Sequence, residues 1–114
     1  MNCIFCSDKV TNNKFSENDL AYAVYDIFPK SKGHALIIPK RHSENFFEMT
    51  EREKVDCFKL LDEVKKLLNK EHKPDGYNIL VNCGKDAGQV VFHTHVHLIP
   101  RYKGDNVLID SNLF

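Results

Sequence analysis

The sequence predicts an α+β fold, with an antiparallel sheet of about five strands and one long helix packed on a face of that sheet. Two observations predict it. Short runs rich in β-branched and aromatic residues lie near both ends of the chain, and a single long amphipathic stretch separates them. The connections between neighbouring runs are too short for helical crossovers, which favours antiparallel pairing. The 114 residues fit one domain, residues 1–114.

Four stretches are predicted to be strands because branched and aromatic residues are concentrated in them. A proline is expected to end a strand, since it cannot donate a hydrogen bond to a neighbouring strand. The stretches are 21–28 (AYAVYDIF), 34–39 (HALIIP), 77–82 (YNILVN) and 90–99 (VVFHTHVHLI), and the prolines predicted to end strands are Pro29, Pro39 and Pro100.

The long helix is predicted from residue 50 to about residue 70. Thr50 and Glu53 have the spacing of a capping box, in which each side chain bonds the other residue's backbone amide. Apolar residues then recur every three or four positions, which predicts one apolar face. Its members are Val55, Phe58, Leu61, Val64 and Leu68.

The charge balance argues against a partner that needs a strongly basic surface. Lys and Arg number 16 and Asp and Glu number 16, whereas proteins that coat nucleic acid or membranes usually carry a basic excess. The first residues lack the basic and apolar regions of a signal peptide, and no window approaches about 18 apolar residues. We therefore expect a cytoplasmic protein with neither a nucleic-acid nor a membrane partner.

Three histidines alternate in the last predicted strand. His93, His95 and His97 occupy positions i, i+2 and i+4, so a strand would place them on one face, about 6.6 Å apart. Close imidazoles repel each other when more than one is charged, so their stacking indicates a function. Two chemistries use such a cluster: a metal site, and nucleophilic catalysis by an imidazole whose neighbours bind an anion.

Two cysteines near the start have the spacing of zinc ligands. The pair Cys3-x-x-Cys6 would supply two thiolates, and a tetrahedral site needs two further ligands. The alternatives are two free thiols or a disulfide, of which the disulfide is disfavoured in a reducing compartment. Of the other two cysteines, Cys57 is expected in the core and Cys83 has no obvious partner.

Four segments resemble those of one family, the histidine-triad (HIT) proteins. The segments are 25–29 (YDIFP), 33–42 (GHALIIPKRH), 87–89 (AGQ) and 93–99 (HTHVHLI), and the similarity runs in order from Cys3 to Arg101. The resemblance implies an antiparallel sheet with a long helix, a homodimer, and a hydrolase or nucleotidyl transferase. Such an enzyme would cleave at the α-phosphate of a purine nucleotide, adenine above all, through a nucleotidyl-histidine intermediate. Substrates of this kind are nucleoside phosphoramidates and dinucleoside polyphosphates.

The same resemblance implies roles for individual residues. His95 would be the nucleophile, His97 would contact phosphate oxygens, and His34 would support the nucleophile. Asp26 would bind the ribose hydroxyls through its carboxylate. The base would lie among four apolar side chains, for which core packing is the alternative, and three residues would position the phosphate and the leaving group. The apolar residues are Ile4, Phe5, Ile27 and Leu36, and the phosphate residues are Asn82, Gly88 and Gln89.

The zinc site is completed through the resemblance as well. In related proteins two histidines join the cysteine pair, and they match His42 and His93 here, which implies a structural zinc and no metal at the reacting phosphate. Two other functions stay open. One is a nucleotide-sensing or adaptor protein with incidental turnover. The other is a zinc on the triad itself that activates water, for which Asp86 is the only nearby carboxylate in sequence.

The chain departs from the phosphoramidase-like branch of the family at two places. Val90 stands where that branch has a serine that can donate a proton to the leaving group, and a carboxy-terminal Trp-Pro-Gly is absent, the sequence ending Ser-Asn-Leu-Phe at 111–114. The 99–101 segment (IPR) is more similar to the fragile-histidine-triad branch, which cleaves dinucleoside polyphosphates.

Overall fold

The computed structural model describes residues 3–105, so residues 1–2 and the sequence end discussed above, 111–114, lie outside the described part. Five strands form one sheet in the spatial order β1-β2-β3-β5-β4, and all four neighbouring pairs are antiparallel. The predicted fold class is confirmed. The strands are β1 (Ser16–Glu17), β2 (Ala21–Tyr25), β3 (Ala35–Pro39), β4 (Gly76–Leu80) and β5 (Val96–Arg101).

The helices are a short α1 (Asp8–Thr11) and the long α2 (Glu51–His72), and three single 3₁₀ turns connect the other elements. The turns are Ile4–Cys6, Phe46–Glu48 and Lys85–Ala87. Within residues 3–105, no helix is long and apolar enough to cross a membrane.

Helix α2 begins at the predicted capping box. The Thr50 hydroxyl accepts a hydrogen bond from the Glu53 amide at 3.1 Å, and the Glu53 carboxylate accepts one from the Thr50 amide at 2.8 Å. Arg41 donates two further hydrogen bonds to that carboxylate, at 2.8 and 3.0 Å. This charge-assisted pair, in which the Glu53 carboxylate is buried and the Arg41 side chain is exposed, links the segment after β3 to the start of α2. The helix ends at Lys73, whose φ of 50° is left-handed.

The apolar face of α2 differs from the predicted one. The side chains buried against the sheet belong to Cys57, Leu60, Val64 and Leu68, whereas Val55 and Phe58 are 44% and 45% exposed. Two apolar rows with spacings of three and four run along this helix, and periodicity does not say which one the sheet covers. The helix was therefore predicted correctly, but in its first half the buried row contains Cys57 and Leu60 instead of Val55 and Phe58.

The two faces of the sheet carry separate cores. Small and branched residues of β2, β3 and β5 pack against α2 on one face. The opposite face is covered by the Ile4–Cys6 turn, where Phe5 packs with Leu36 and other side chains of β2 and β3. His97 of β5 pairs directly with Leu36, and directly paired residues project to the same face. His97 therefore projects from the face opposite the long helix.

The last strand is shorter at its start and longer at its end than predicted. It begins at Val96, so His93 and His95 precede it and the period-two argument applies to His97 alone. It also continues through Pro100, which pairs with Tyr77 of β4. The Pro100 carbonyl accepts a hydrogen bond from the Ser31 hydroxyl at 2.6 Å, on the side of β5 that faces β3, at a position that β3 does not reach. In a strand, the ring nitrogen of a proline faces the same side as its carbonyl. No ladder bond is lost there, so the proline does not stop the strand.

The other strand predictions were close, with β2 ending at residue 25 rather than 28 and β4 spanning Gly76–Leu80 rather than 77–82. The segment after β2 leaves the sheet in a turn at Asp26, whose carboxylate accepts a hydrogen bond from the Phe28 amide at 2.9 Å.

Candidate functional site

Four side chains from distant parts of the chain converge beside the sheet. The Cys3 and Cys6 sulfurs lie 3.3 and 3.5 Å from Nδ1 of His93, and Nδ1 of His42 lies 3.7 Å from the Cys6 sulfur. All four ligand atoms lie within 4.8 Å of one another. This group consists of the two cysteines and the two histidines that the resemblance implied, so the residues predicted to hold zinc are brought together.

The histidines of this group are held by the backbone. His93 is buried, and its Nε2 donates to the Pro39 carbonyl at 2.7 Å, which leaves the Nδ1 lone pair facing the sulfurs. Burial lowers the pKa of His93, so its ring is neutral at neutral pH. The segment that carries His42 is clamped next to it, because the Thr94 amide donates to the Ser43 carbonyl at 2.8 Å and the two hydroxyls also bond each other at 2.8 Å.

His95 lies next along the chain with one nitrogen engaged. Its Nδ1 donates to the His93 carbonyl at 2.8 Å, so the neutral ring has its lone pair on Nε2. The ring of Phe5 packs edge-on against it, with centroids 5.1 Å apart. Burial lowers the pKa of His95, which favours the neutral ring with a free lone pair. This arrangement suits a nucleophile.

A second cluster adjoins His95 on the face of the sheet opposite α2. The ring of His97 lies 5.0 Å from that of His95, and its Nδ1 lies 2.9 Å from Nε2 of His34. An Asp26 carboxylate oxygen lies 3.5 Å from the same His34 nitrogen and 4.0 Å from the His97 one. Burial and then the neighbouring His95 and His34 rings lower the pKa of His97 to about 4.

The glycine loop before the triad is fastened by Gln89. Its buried side chain accepts the Gly84 amide at 2.7 Å and donates to the carbonyls of Glu44 and Val91. The Gln89 amide also donates to the Gly84 carbonyl, at 3.1 Å, so both the side chain and the amide of this residue are engaged within the loop. Gly88 has a φ of 94°, which an L side chain adopts only with strain.

The remaining predicted residues of the loop flank this glycine. The Asn82 side chain approaches to 3.8 Å from the point where a Cβ on Gly88 would lie. Val90, which stands in place of a serine, is 84% exposed.

The four residues expected around a base divide into two pairs. Phe5 and Leu36 are buried in one apolar cluster, so core packing accounts for them. Ile4 and Ile27 are 47% and 78% exposed, so core packing does not account for them.

Sequence reasoning missed the contacts that orient these side chains. The acceptors for His93 and His95 are the carbonyls of Pro39 and His93, and the amide of Lys30 bonds His34 at 3.0 Å. These groups belong to the main chain, so the residue types in the sequence do not indicate them. Ser43 does carry a signal, since a hydroxyl directly after His42 could have been expected to anchor that segment.

Comparison with known families extends the similarity over most of the chain. The model of the HIT domain matches residues 7–104. The Hit protein of Bacillus subtilis is 42% identical over 108 residues, which cover 91% of this chain and 74% of that protein. An adenosine 5'-monophosphoramidase of Schizosaccharomyces pombe is 39% identical over 104 residues, covering 89% and 75%. A bis(5'-adenosyl)-triphosphatase of Saccharomyces cerevisiae is 37% identical over 99 residues, covering 86% and 48%.

Solved structures agree with this similarity. A HIT family protein from Bacillus anthracis superposes with a TM-score of 0.83 at 38% identity, covering 90% of this chain and 75% of that one. A zinc-bound histidine triad family protein from Mycobacterium smegmatis gives 0.83 at 31% identity, covering 93% and 79%.

Proposed function

Since the chain belongs to the HIT-domain family, we propose that it is a nucleotide hydrolase or nucleotidyl transferase that cleaves at the α-phosphate of an adenine nucleotide, with His95 as the nucleophile. The observation that carries the proposal is the hydrogen bond from His95 Nδ1 to the His93 carbonyl, which leaves Nε2 as a lone-pair nitrogen. Relatives of both hydrolytic types support an adenine nucleotide as substrate, one named as a monophosphoramidase and one as a triphosphatase.

The chemistry follows from this tautomer. His95 Nε2 attacks phosphorus, the bond from phosphorus to the leaving atom breaks, and the leaving group takes a proton from solvent as it departs. The ring of the nucleotidyl intermediate is then cationic, and the His93 carbonyl, already accepting the Nδ1 proton, stabilises that charge. Water next attacks phosphorus, the N–P bond breaks, a proton is released, and His95 returns to its neutral state. His97 donates to a phosphate oxygen. The amides of Gly88 and Gln89 bond the carbonyls of Lys85 and Gly84, so these two residues shape the loop beside the phosphate.

The decisive experiment traps the intermediate. Labelled adenosine phosphoramidate, diadenosine polyphosphates and adenylyl sulfate are mixed with the protein, quenched rapidly and analysed by mass spectrometry. The adduct is expected on His95, and His95→Ala is expected to lose at least ~10³-fold in turnover because it removes the nucleophile. His95→Gly should bind AMP nearly normally, and Lys66→Ala, on the exposed side of α2, is the matched control.

Two results would contradict the proposal: wild-type turnover by His95→Ala, or a label on another residue. Tight AMP binding by the wild-type protein with no turnover of any substrate in the panel would instead favour the nucleotide-sensing or adaptor function.

We further propose that Cys3, Cys6, His42 and His93 hold a structural zinc. A tetrahedral zinc with bonds of about 2.3 Å to sulfur and about 2.0 Å to nitrogen separates its ligand atoms by about 3.3–3.8 Å. The measured separations of 3.3, 3.5 and 3.7 Å fit that geometry. The hydrogen bond from His93 Nε2 to the Pro39 carbonyl is the usual outer contact of a metal-bound imidazole. Thiols kept free for a metal require a reducing compartment, which supports the cytoplasm as the location.

Finally, we propose that the protein is a homodimer. Strand β4 lies at one edge of the sheet, and Ile79 on it is 57% exposed. Tyr77 of the same strand bonds Asn69 of α2, and Phe58 lies farther along the same row of that helix and is 45% exposed. An open edge with apolar neighbours is a surface that proteins usually cover, and a two-fold axis would cover it with its own copy.

A further inference from the structure

The backbone amide of Lys30 donates a hydrogen bond to Nδ1 of His34 at 3.0 Å. The donor is an N–H group, so Nδ1 must offer its lone pair, and the proton of neutral His34 is on Nε2. A turn keeps the two groups together, because the His34 amide bonds the Ser31 carbonyl at 3.2 Å. Gly33 in that turn has a φ of 91°, and a Cβ there would lie 2.8 Å from the ring of His72.

The tautomer of His34 determines that of His97. With its proton on Nε2, His34 donates to Nδ1 of His97 at 2.9 Å, while the Asp26 carboxylate lies farther away at 3.5 Å. His97 therefore accepts at Nδ1, and its own proton must be on Nε2. The hydrogen bonds therefore run in one direction, from the Lys30 amide to His34 and from His34 to His97, and they leave an N–H at Nε2 of His97.

We propose that the Lys30 amide is a positioning group that commits His34 and His97 to their Nε2–H tautomers, so that His97 offers a phosphate oxygen an N–H donor while remaining uncharged. The position of the phosphate rests on the proposed function, whereas the tautomers do not. A neutral donor suits a site with three adjacent imidazoles, because it recognises the phosphate without placing two cations side by side. The burial of the His34 and His97 side chains, which are 1% and 15% exposed, favours the neutral forms further.

The same amide decides against a metal at this cluster. Asp26, His34 and His97 place three ligand atoms within 4.8 Å of one another, as a metal site would. To bind a metal through Nε2, however, neutral His34 would have to carry its proton on Nδ1, directly against the Lys30 N–H. The hydrogen bond at 3.0 Å therefore keeps the Nε2 proton on His34, so this nitrogen donates a hydrogen bond and does not bind a metal.

The test is ¹⁵N-detected spectroscopy of the histidine rings, which separates protonated from bare ring nitrogens without any substrate. In the wild-type protein, both His34 and His97 are expected to show N–H at Nε2 and a bare Nδ1. Lys30→Pro removes the amide proton and should shift the His34 signals towards a mixture of tautomers, with His97 following. Lys30→Ala keeps the amide and removes only the side-chain charge, so both rings should keep their Nε2–H tautomers.

A wild-type His34 or His97 with its proton on Nδ1 would overturn the proposal, and this reading does not depend on whether Lys30→Pro folds. Equal spectra for the wild-type protein and a folded Lys30→Pro would overturn it as well.

A second equivalent of Zn²⁺ should leave the His34 and His97 signals unmoved, and a shift would refute the exclusion of metal. Addition of AMP should move the His97 Nε2–H signal. If the tautomers are as expected and AMP moves nothing, the proposed function fails while the positioning role stands.

Discussion

His93 is held through three of its polar atoms, and each contact serves a different part of the molecule. Nδ1 faces the two cysteine sulfurs, Nε2 donates to the Pro39 carbonyl, and the backbone carbonyl accepts the His95 proton. One residue therefore orients both the proposed metal ligands and the proposed nucleophile. A substitution at position 93 should affect metal content and turnover together, unlike a substitution at either cysteine.

The buried imidazoles should make stability depend on pH in a definite direction. The ordinary pKa of a histidine is 6.5, and that of His97 is lowered to about 4, so between these values the unfolded chain binds more protons. The stabilisation from neutral His97 is complete above pH 6.5 and is lost as the pH falls towards 4. His97→Asn keeps an acceptor near Nδ1 but cannot titrate, so its unfolding free energy should fall less steeply with acid.

Urea unfolding of both proteins at pH 7.5, 5.5 and 4.5 measures this difference. Subtracting the two profiles cancels the contributions of the titrating groups that do not contact His97. Parallel profiles would mean that His97 titrates normally in the folded protein.

Asp26 should contribute to nucleotide affinity through the ribose. One of its oxygens accepts the Phe28 amide at 2.9 Å, and its carboxylate also lies near His34, at 3.5 Å. Asp26→Ala is expected to weaken AMP binding by roughly 1–3 kcal/mol, since a charged hydrogen bond is lost. Asp26→Asn keeps the acceptor for the loop amide and isolates the effect of the charge.

A comparison of AMP with 2'-deoxy-AMP identifies the partner of the carboxylate. Calorimetry should show that the wild-type protein prefers AMP and that the preference shrinks in both variants. An undiminished preference in Asp26→Ala would show that another group binds the ribose hydroxyls.

At the scale of elements, local signals predicted better than longer patterns did. The capping box located the start of α2 because its two partners are three residues apart and need nothing else. The covered side of α2 was predicted less well, because the choice between two apolar rows is made by the sheet. The start of β5 was also missed: the segment with His93 and His95 reads as a strand by composition, but its ring and backbone groups bond to Pro39 and Ser43 instead of forming a ladder.

The Ile4–Cys6 turn should depend on metal for its stability. A metal present at 100 times its dissociation constant contributes about 2.7 kcal/mol, which corresponds to about 10 °C in melting temperature for a domain of this size. Cys3→Ser should lose the zinc and about that much stability, while turnover measured well below the melting temperature changes less. Cys83→Ser, which alters a half-buried thiol outside the group, is the matched control.

Elemental analysis and thermal unfolding of the same preparations check this expectation. About one zinc per chain is expected in the wild-type protein and in Cys83→Ser. A metal-free wild-type preparation with an unchanged melting temperature would rule out a structural zinc.

For the whole molecule, the arrangement in layers places the long helix and the histidine clusters on opposite faces of the sheet. The long helix covers one face of the sheet, and the histidine clusters lie on the other with the Ile4–Cys6 turn. The edge strand β4 and the flank of α2 beside it are then free to form a dimer without covering the histidines.

The oligomeric state tests this arrangement directly. Light scattering at micromolar concentration should give the mass of a dimer, and Ile79→Lys should give a monomer, because it places a charge on the open edge. Leu67→Glu is the control, since it changes an exposed apolar residue on the flank of α2 that faces away from β4. A wild-type monomer would contradict the proposed homodimer.

The sequence predicted the residue types of the site better than their arrangement. Both cysteines and all five histidines proposed for the two clusters come together, because each is a side chain with distinctive chemistry. Their orientation could not be predicted, since it depends on the carbonyls of Pro39 and His93 and on the amide of Lys30. Main-chain groups are present at almost every position, so only the fold can single out these three.

The distance along the chain between Cys3 and His93 has a consequence during synthesis. The two residues are 90 positions apart, and a ribosome adds roughly 5–20 residues per second, so their meeting is delayed by roughly 5–20 s. Over that interval the Cys3 and Cys6 thiols are close together in the chain while their partner His93 has not yet been synthesised. For the proposed zinc site, this means that the nascent chain passes through a stage at which an oxidant could join Cys3 to Cys6 before His93 has been synthesised.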